Sequence, residues 1–264
     1  LVDGAHGFAS GFDLTDAEIE RVARLAVRLA RAGRRAGPGR IRWADEPAWR
    51  DVWTSTYVVD PFGVPLDRKH ATLATADEIQ RDHAAVTATT ASMSFRREHQ
   101  VFLSSEGADL EQMILRSGAG ISCMAHRDGE TQIRSYPNAF GGNFMALGYE
   151  LVDALDLPGH AAQCREEAVE LLTAEPCPVG DRDIIIAGNQ LGLQIHESVG
   201  HATELDRVQG WEANMAGTSF VDTAKLAGFR YGSDIVNLVA DATVPGGLAT
   251  VGYDDDGVRS QRWH

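Results

Sequence analysis

The sequence is poor in cysteine and has no long apolar run. Its three cysteines, Cys123, Cys164 and Cys177, are widely spaced and form no CxxC or CxxH pattern, so neither a disulfide framework nor a cysteine zinc finger is predicted. Each is expected to be a small buried hydrophobic residue. No stretch approaches the ~18–20 apolar residues of a membrane helix, and the opening residues lack the charged leader of a signal peptide. We therefore expect a reducing, cytoplasmic setting and no membrane partner.

Basic residues are also few. Lysine and arginine number 24 against 38 aspartates and glutamates, which gives a formal net charge of −14. Nucleic acids and anionic membranes bind basic faces, so neither is an expected partner. The sequence also lacks a P-loop, a GxGxxG and a GxSxG motif, which argues against the common nucleotide-binding and serine-hydrolase classes.

The hydrophobic pattern predicts an α+β fold of one or two domains, with helices on an antiparallel sheet. Thr15 opens a capping box before an amphipathic helix, and Asp128-Gly129 is a hairpin turn signal. Residues 136–142 form an aromatic, glycine-rich loop, for which a plain turn is favoured over the wall of a peptide cleft. The predicted helices cover residues 15–33, about 73–86 and 157–174, with a linker at 34–39. The predicted strands cover residues 52–59, 93–95, 100–103, 112–115, 120–123, 131–134, 183–187 and 235–239.

The segment with the clearest chemistry carries His196, Glu197 and His201. Imidazole is a good ligand for Zn²⁺, and a neighbouring carboxylate can act as a general base. The two histidines are five residues apart, so a regular α-helix would turn them about 140° from each other, against about 40° for the i, i+4 pair of HExxH. A shared metal therefore needs a helix bulge or break, which Gly200 is expected to permit because glycine tolerates unusual dihedrals.

The sequence around these histidines resembles that of a known protein family. Gln194-Ile-His-Glu-Ser-Val-Gly-His201, Glu204-Leu-Asp206, Ala216-Gly-Thr-Ser-Phe220 and Tyr253-Asp-Asp-Asp-Gly257 are similar to motifs of the TldD/PmbA metallopeptidases, once described as modulators of DNA gyrase. The HExxxH motif is typical of the catalytic, TldD-like branch. The likeness extends upstream to Thr54-Ser-Thr-Tyr57, Asp60-Pro-Phe62, Ser104-Ser-Glu-Gly107, Arg134-Ser-Tyr-Pro137 and Gly141-Gly142.

The resemblance implies roles for the residues of the motif. His196 and His201 would bind Zn²⁺, and Glu197 would be the general base in the hydrolysis of small or unfolded peptides. Glu204 and Asp206 are candidates to orient a ligating imidazole, with salt-bridged surface residues as the equal alternative. The family's third protein ligand is a cysteine in a C-terminal β-rich domain, expected beyond residue 264.

The resemblance also implies an organisation. Residues 1–178 would form a partial N-terminal and central α/β region, and residues 179–264 the start of the metallopeptidase region. The chain would then be a fragment truncated at both ends, which is expected to bind zinc weakly and to be inactive alone. Family members work as dimers, so a homodimer, or a heterodimer with a paralogue that lacks the motif, is expected.

Two other functions stay open at this stage. The first is a non-catalytic partner or scaffold subunit, because only two good zinc ligands are local whereas a catalytic site needs three protein ligands. The second is a carboxylate-rich hydrolase that uses Glu197, Glu204 and Asp206, which would depend on Mg²⁺ or Mn²⁺.

Overall fold

The computed structural model describes residue 2 and residues 4–36, 45–139, 141–226 and 228–263. The chain divides into two compact units, Leu1–Ala48 and Trp49–His264. The helices are α1 (Asp16–Ala36), α2 (Leu66–Arg81), α3 (Glu150–Leu155), α4 (Leu157–Leu171), α5 (Gly188–Ile195), α6 (His201–Thr203) and α7 (Leu205–Val208), with short 3₁₀ turns at Pro61–Gly63 and Thr223–Lys225. The strands are β1 (Arg50–Thr54), β2 (Val86–Leu103), β3 (Asp109–Arg127), β4 (Glu130–Tyr136), β5 (Asn143–Met145), β6 (Ala240–Asp241) and β7 (Arg262–Trp263).

The first unit is organised by α1. The side-chain oxygen of Thr15 accepts a 3.4 Å hydrogen bond from the backbone N–H of Glu18, which caps the first turn as predicted. The predicted linker at residues 34–39 begins inside this helix, since α1 continues to Ala36. The remainder of that linker, residues 37–39, lies outside the described residues.

The second unit is built on β3, the central strand of a five-stranded sheet. One edge of β3 pairs with β2 along most of its length, in antiparallel register. The other edge pairs in turn with β1 in parallel and with β5 and β4 in antiparallel orientation. The α+β class is therefore confirmed, and the sheet is antiparallel except for β1.

The core lies between this sheet and two helices. α4 packs against β3 and β4, and α2 packs against β2 and α4. Ala119 and Cys123 on β3 and Ala161 and Ala168 on α4 are all fully buried. Small side chains on both elements let helix and sheet backbones approach closely, and larger residues such as Leu157 fill the remaining space.

The structure corrects the predicted strand lengths. Four short strands between residues 93 and 123 are in fact parts of two long ones, β2 and β3. Gly118 and Gly120 do not interrupt β3: the ring of Phe144 lies against Gly118, and the backbone of Gly142 lies against Gly120. Asp128-Gly129 does form the predicted turn between β3 and β4, with φ angles of 53° and 86°.

The second predicted helix is displaced. α2 begins at Leu66 and ends at Arg81, so His83 and Val86 lie outside it. Pro65 immediately precedes the helix, a position where its missing N–H costs nothing because the first helical N–H groups have no partner. The proline therefore marks the helix start, which the prediction placed near residue 73.

Two predicted strands are absent from the described residues. Residues 183–187 and 235–239 have the apolar composition of buried strands but pair with no described strand. Ile185 is fully exposed and Ile235 is 90% exposed. Cys177, between Pro176 and Pro178, is also exposed, so only Cys123 and Cys164 are the buried residues that were predicted.

Candidate metal centre

The histidine segment is a helix with a π-helical insert. α5 ends at Ile195, a π-helical segment covers His196–Gly200, and α6 begins at His201. The N–H of His201 donates to the carbonyl oxygen of His196, an i→i+5 hydrogen bond. A π turn widens the helix by one residue, so side chains five apart come to one face. This is the bulge that a shared ligand requires.

The two imidazoles converge. Their ring centroids are 4.3 Å apart with an interplanar angle of 67°. One ligand atom each from His196, Glu197 and His201 lie within 4.8 Å of one another. Two imidazole nitrogens and a carboxylate oxygen form a donor set suited to Zn²⁺ and other first-row divalent ions, and the exposure of His196 and Glu197 leaves a path for entry.

Gly200, the residue predicted to permit the bulge, has an ordinary helical backbone. Its φ of −53° and ψ of −62° are those of a right-handed helix, which any residue adopts. An added Cβ would meet no atom within 4 Å. The π turn therefore does not depend on the conformational freedom of glycine.

Carbonyl groups of the helix are bound by side chains. The hydroxyl of Tyr231 donates to the carbonyl of Ser198 over 2.5 Å, and that of Ser219 donates to the carbonyl of Ala202 over 2.6 Å. The Thr203 hydroxyl lies 3.0 Å from the carbonyl oxygen of Val199. A π insert and a helix end both leave carbonyls without a regular i+4 partner. These hydroxyls satisfy them and so hold the distorted helix in place.

One carboxylate orients His201. Nδ1 of His201 lies 2.8 Å from Oε1 of Glu204. If Nδ1 donates its proton there, the Nε2 lone pair is free for a metal. The guanidinium of Arg207 lies 3.2 Å from Oε2 of Glu204, an ion pair that holds this carboxylate. The side chain of Asp206 contacts neither histidine among the described residues, and groups with Glu204 and Glu212 instead.

A groove opens beside His196. Its volume is about 460 Å³, and α5 forms one wall. The loop before β5 forms the other wall, so the aromatic, glycine-rich loop lines a groove where a plain turn had been favoured. Gly142 holds this loop against β3: its φ is +113°, and a Cβ would lie 2.0 Å from the carbonyl oxygen of Ala119. Only glycine fits there.

Sequence reasoning missed three of the residues that shape this site. Arg207 gave no signal beyond its position after Asp206, and Tyr231 gave none. Ser219 lies in one of the segments that carry the family resemblance, so that segment could have pointed to it. Their role depends on contacts between segments far apart in the chain.

The paired histidines on a distorted helix define a candidate metal site in an α+β fold, and comparison with known proteins gives the family. Residues 59–174 match the PmbA/TldA metallopeptidase central domain, and residues 180–264 match the PmbA/TldA metallopeptidase C-terminal domain. The chain belongs to this TldD/PmbA family of metallopeptidases.

Individual relatives agree. A metalloprotease of Methanocaldococcus jannaschii is 29% identical over 99% of this chain and 54% of its own length. A metalloprotease of Methanothermobacter thermautotrophicus is 31% identical over 76% of this chain and 41% of its own length. A Thermotoga maritima crystal structure, described as a candidate modulator of a DNA gyrase, has the same fold, with a TM-score of 0.64 at 16% identity over 100% of this chain and 55% of that one.

The chain spans about half the length, or less, of the curated relatives it matches. Within the described part of the chain, no helix is long and apolar enough to cross a membrane.

Proposed function

We propose that the protein is a zinc-dependent peptidase that hydrolyses peptide bonds in small or unfolded peptides. The observation that carries this proposal is the convergence of His196, Glu197 and His201 within 4.8 Å at a π-helical insert. The family membership supports the same reaction class, and the relatives of this chain are named metalloproteases.

Each residue has a distinct role in the proposed reaction. His196 and His201 would hold the ion through imidazole nitrogens, and Glu204 would keep the Nδ1 proton of His201 so that Nε2 stays free to ligate. Glu197 would take a proton from the attacking water and later pass it to the leaving amine. The bound Zn²⁺ would act as a Lewis acid that polarises the scissile carbonyl.

We also propose the setting of the activity. The substrate is an extended peptide that lies in the groove beside His196, the protein works as a dimer, and its location is the cytoplasm. The acidic charge of −14 argues against nucleic acid as a partner, because phosphate backbones need basic surfaces.

The test combines metal content with activity on the protein that carries this chain. We expect one zinc per active chain by elemental analysis, lost in His196→Ala. Glu197→Gln should keep the zinc and lose at least about 100-fold in kcat on a fluorogenic peptide. His70→Ala, which removes an exposed histidine of α2, is the matched control and should change neither quantity.

Two results would contradict the proposed zinc peptidase. A wild-type protein without bound metal and without hydrolysis would make this chain part of a non-catalytic subunit. Activity restored by Mg²⁺ or Mn²⁺ and not by Zn²⁺ would favour carboxylate chemistry at Glu197, Glu204 and Asp206.

A further inference from the structure

The groove beside His196 has a composition that selects a substrate side chain. Among the described residues, no aspartate, glutamate, lysine or arginine lines it, and His196 is the only titratable group in the lining. Three apolar side chains, Phe144, Leu193 and Leu248, line it together with amide side chains. The amide-bearing residues are Asn138, Asn143, Asn189 and Gln190.

The apolar part of the groove is held firmly. Phe144 pairs with Gly118 across the sheet, and its ring occupies the space that a side chain at Gly118 would fill. Leu193 is on α5, one turn before His196. Leu248 is fixed by its carbonyl oxygen, which accepts a 3.2 Å hydrogen bond from Nε of Arg116. The ring of Phe144 and the backbone of Leu248 are thus held in place, and together with Leu193 these residues form an apolar surface next to a candidate metal ligand.

The amides suit a peptide backbone. Each amide side chain carries both a donor and an acceptor, as does each peptide unit of an extended chain. The side chains of Asn138, Asn143 and Gln190 make no hydrogen bond to another described residue. Their capacity is therefore available to a ligand, without any demand on the ligand's charge.

We propose that this groove binds the substrate residue beside the scissile bond and selects neutral, chiefly apolar side chains over charged ones. An ionised side chain would lose part of its hydration there, and none of the described lining residues carries an opposite charge to replace it, whereas an apolar side chain would contact Phe144, Leu193 and Leu248. The inference rests on the proposed peptidase function and adds the substrate class to it.

The test compares peptides that differ at one position. A set of otherwise identical fluorogenic peptides carries Leu, Gln, Glu or Lys at each position flanking the scissile bond in turn. At one of these positions we expect kcat/KM for Leu and Gln to exceed that for Glu and Lys by about 10-fold or more, which is the size of selectivity that a hydrophobic pocket gives.

A positive charge added on α5 tests whether the groove causes the preference for neutral substrate side chains. Leu193→Lys should raise kcat/KM for the Glu peptide relative to the Leu peptide by about 10-fold, because it supplies the missing counter-ion. Leu191→Lys is the matched control: it makes the same change on the same helix at similar exposure, 42% against 37%, but outside the groove lining. It should leave the preference as in the wild type.

Peptide-binding measurements test the groove independently of peptidase activity. The affinities of the same peptides for the Glu197→Gln variant are measured by fluorescence anisotropy, so they do not depend on turnover. Equal affinities for the Leu, Glu and Lys peptides would overturn the groove assignment even if hydrolysis occurs, and so would an equal shift in Leu191→Lys and Leu193→Lys. A clear preference in binding with no hydrolysis by the wild type would keep the groove and overturn the peptidase.

Discussion

Glu150 joins the start of α3 to a segment about 90 residues earlier in the chain. Its carboxylate accepts hydrogen bonds from the backbone N–H groups of Val58, Val59 and Gly148, at 3.1, 2.9 and 2.8 Å. Burial alone would raise the pKa of this carboxyl, but the backbone N–H groups together outweigh burial and hold the pKa below its ordinary value of 4.5. Glu150 is therefore a stabilising group only while it is ionised.

The sign of its pH dependence follows. A carboxyl whose pKa is lower in the folded state contributes stability above its unfolded-state pKa and loses it as the pH falls through the folded-state pKa. We expect Glu150→Gln to lower the free energy of unfolding at pH 7 by about 1–3 kcal/mol, because its NH₂ group would face backbone donors. The difference from the wild type should shrink below about pH 4.

Urea unfolding at pH 7 and at pH 3.5 measures both quantities. Glu106→Gln is the control, since Glu106 is exposed and makes no side-chain contact among the described residues. A Glu150→Gln variant as stable as the wild type at pH 7 would remove the carboxylate from this role.

Glu204 and Asp206 were equal candidates in the sequence, and the structure separates them. Only Glu204 reaches His201. We expect Glu204→Gln to weaken Zn²⁺ binding about 10- to 100-fold, the usual effect of losing the partner of a ligating imidazole, and Asp206→Asn to leave it unchanged. Competition with a chromogenic chelator measures both affinities. Equal losses in the two variants would mean that the acidic cluster acts only through its total charge.

At the scale of the element, the π turn makes a prediction about Gly200. Its backbone is helical and its surroundings are open, so Gly200→Ala should stabilise the helix by roughly 0.5–1 kcal/mol and leave the Zn²⁺ affinity within about 2-fold. Gly120→Ala in β3 is the contrasting control, because its Cβ would lie 2.4 Å from Cα of Gly142. It should be clearly destabilising.

Thermal unfolding measures the stability of the two glycine variants, and chelator competition measures their Zn²⁺ affinity. A Gly200→Ala protein that keeps its helical circular dichroism but no longer binds zinc would show that the bound state needs a backbone conformation that only glycine reaches.

Features with local causes could be predicted from the sequence. The cap at Thr15 needs only residues three apart, and the Asp128-Gly129 turn needs only its own φ angles. The helical periodicity of residues 157–174 likewise predicts α4, which covers Leu157–Leu171. The bulge between His196 and His201 follows from their spacing alone, once one ligand is assumed to join them.

Features that depend on distant partners could not be predicted. Residues 183–187 have the composition of a strand, but a strand also needs a neighbour, and composition does not supply one. Gln112 is another example: its side-chain oxygen accepts 2.9 Å hydrogen bonds from the N–H groups of Gly252 and Tyr253, some 140 residues away. The groove beside His196 likewise joins three separate stretches of chain.

At the scale of the whole molecule, the core and the metal segment are separate regions of one unit. The main buried cluster and the residues packed against it lie between Val59 and Leu172. The segment that carries His196 and His201 is mostly exposed. Cooperative unfolding should therefore be governed by the sheet and by α2 and α4, and metal removal should leave that core intact.

The cysteines test this division. Cys123 on β3 and Cys164 on α4 are buried, whereas Cys177 is exposed. Burial raises the pKa of the Cys123 thiol to about 11 and also raises that of Cys164, so both stay protonated and unreactive at neutral pH. Among these three thiols, we expect Ellman's reagent to modify only Cys177 in the native protein, none in Cys177→Ser, and all three after denaturation.

Removal of the metal with a chelator tests whether the core depends on the bound ion. Since neither buried thiol lies in the metal segment, Cys177 should stay the only one of the three that reacts quickly after chelation. The slow reaction of Cys123 and Cys164 should track the free energy of core unfolding with urea. If chelation instead exposes either thiol quickly in Cys177→Ser, the metal segment and the core unfold together. In that case the stability of the sheet would depend on the bound ion, as it does in small metal-dependent domains.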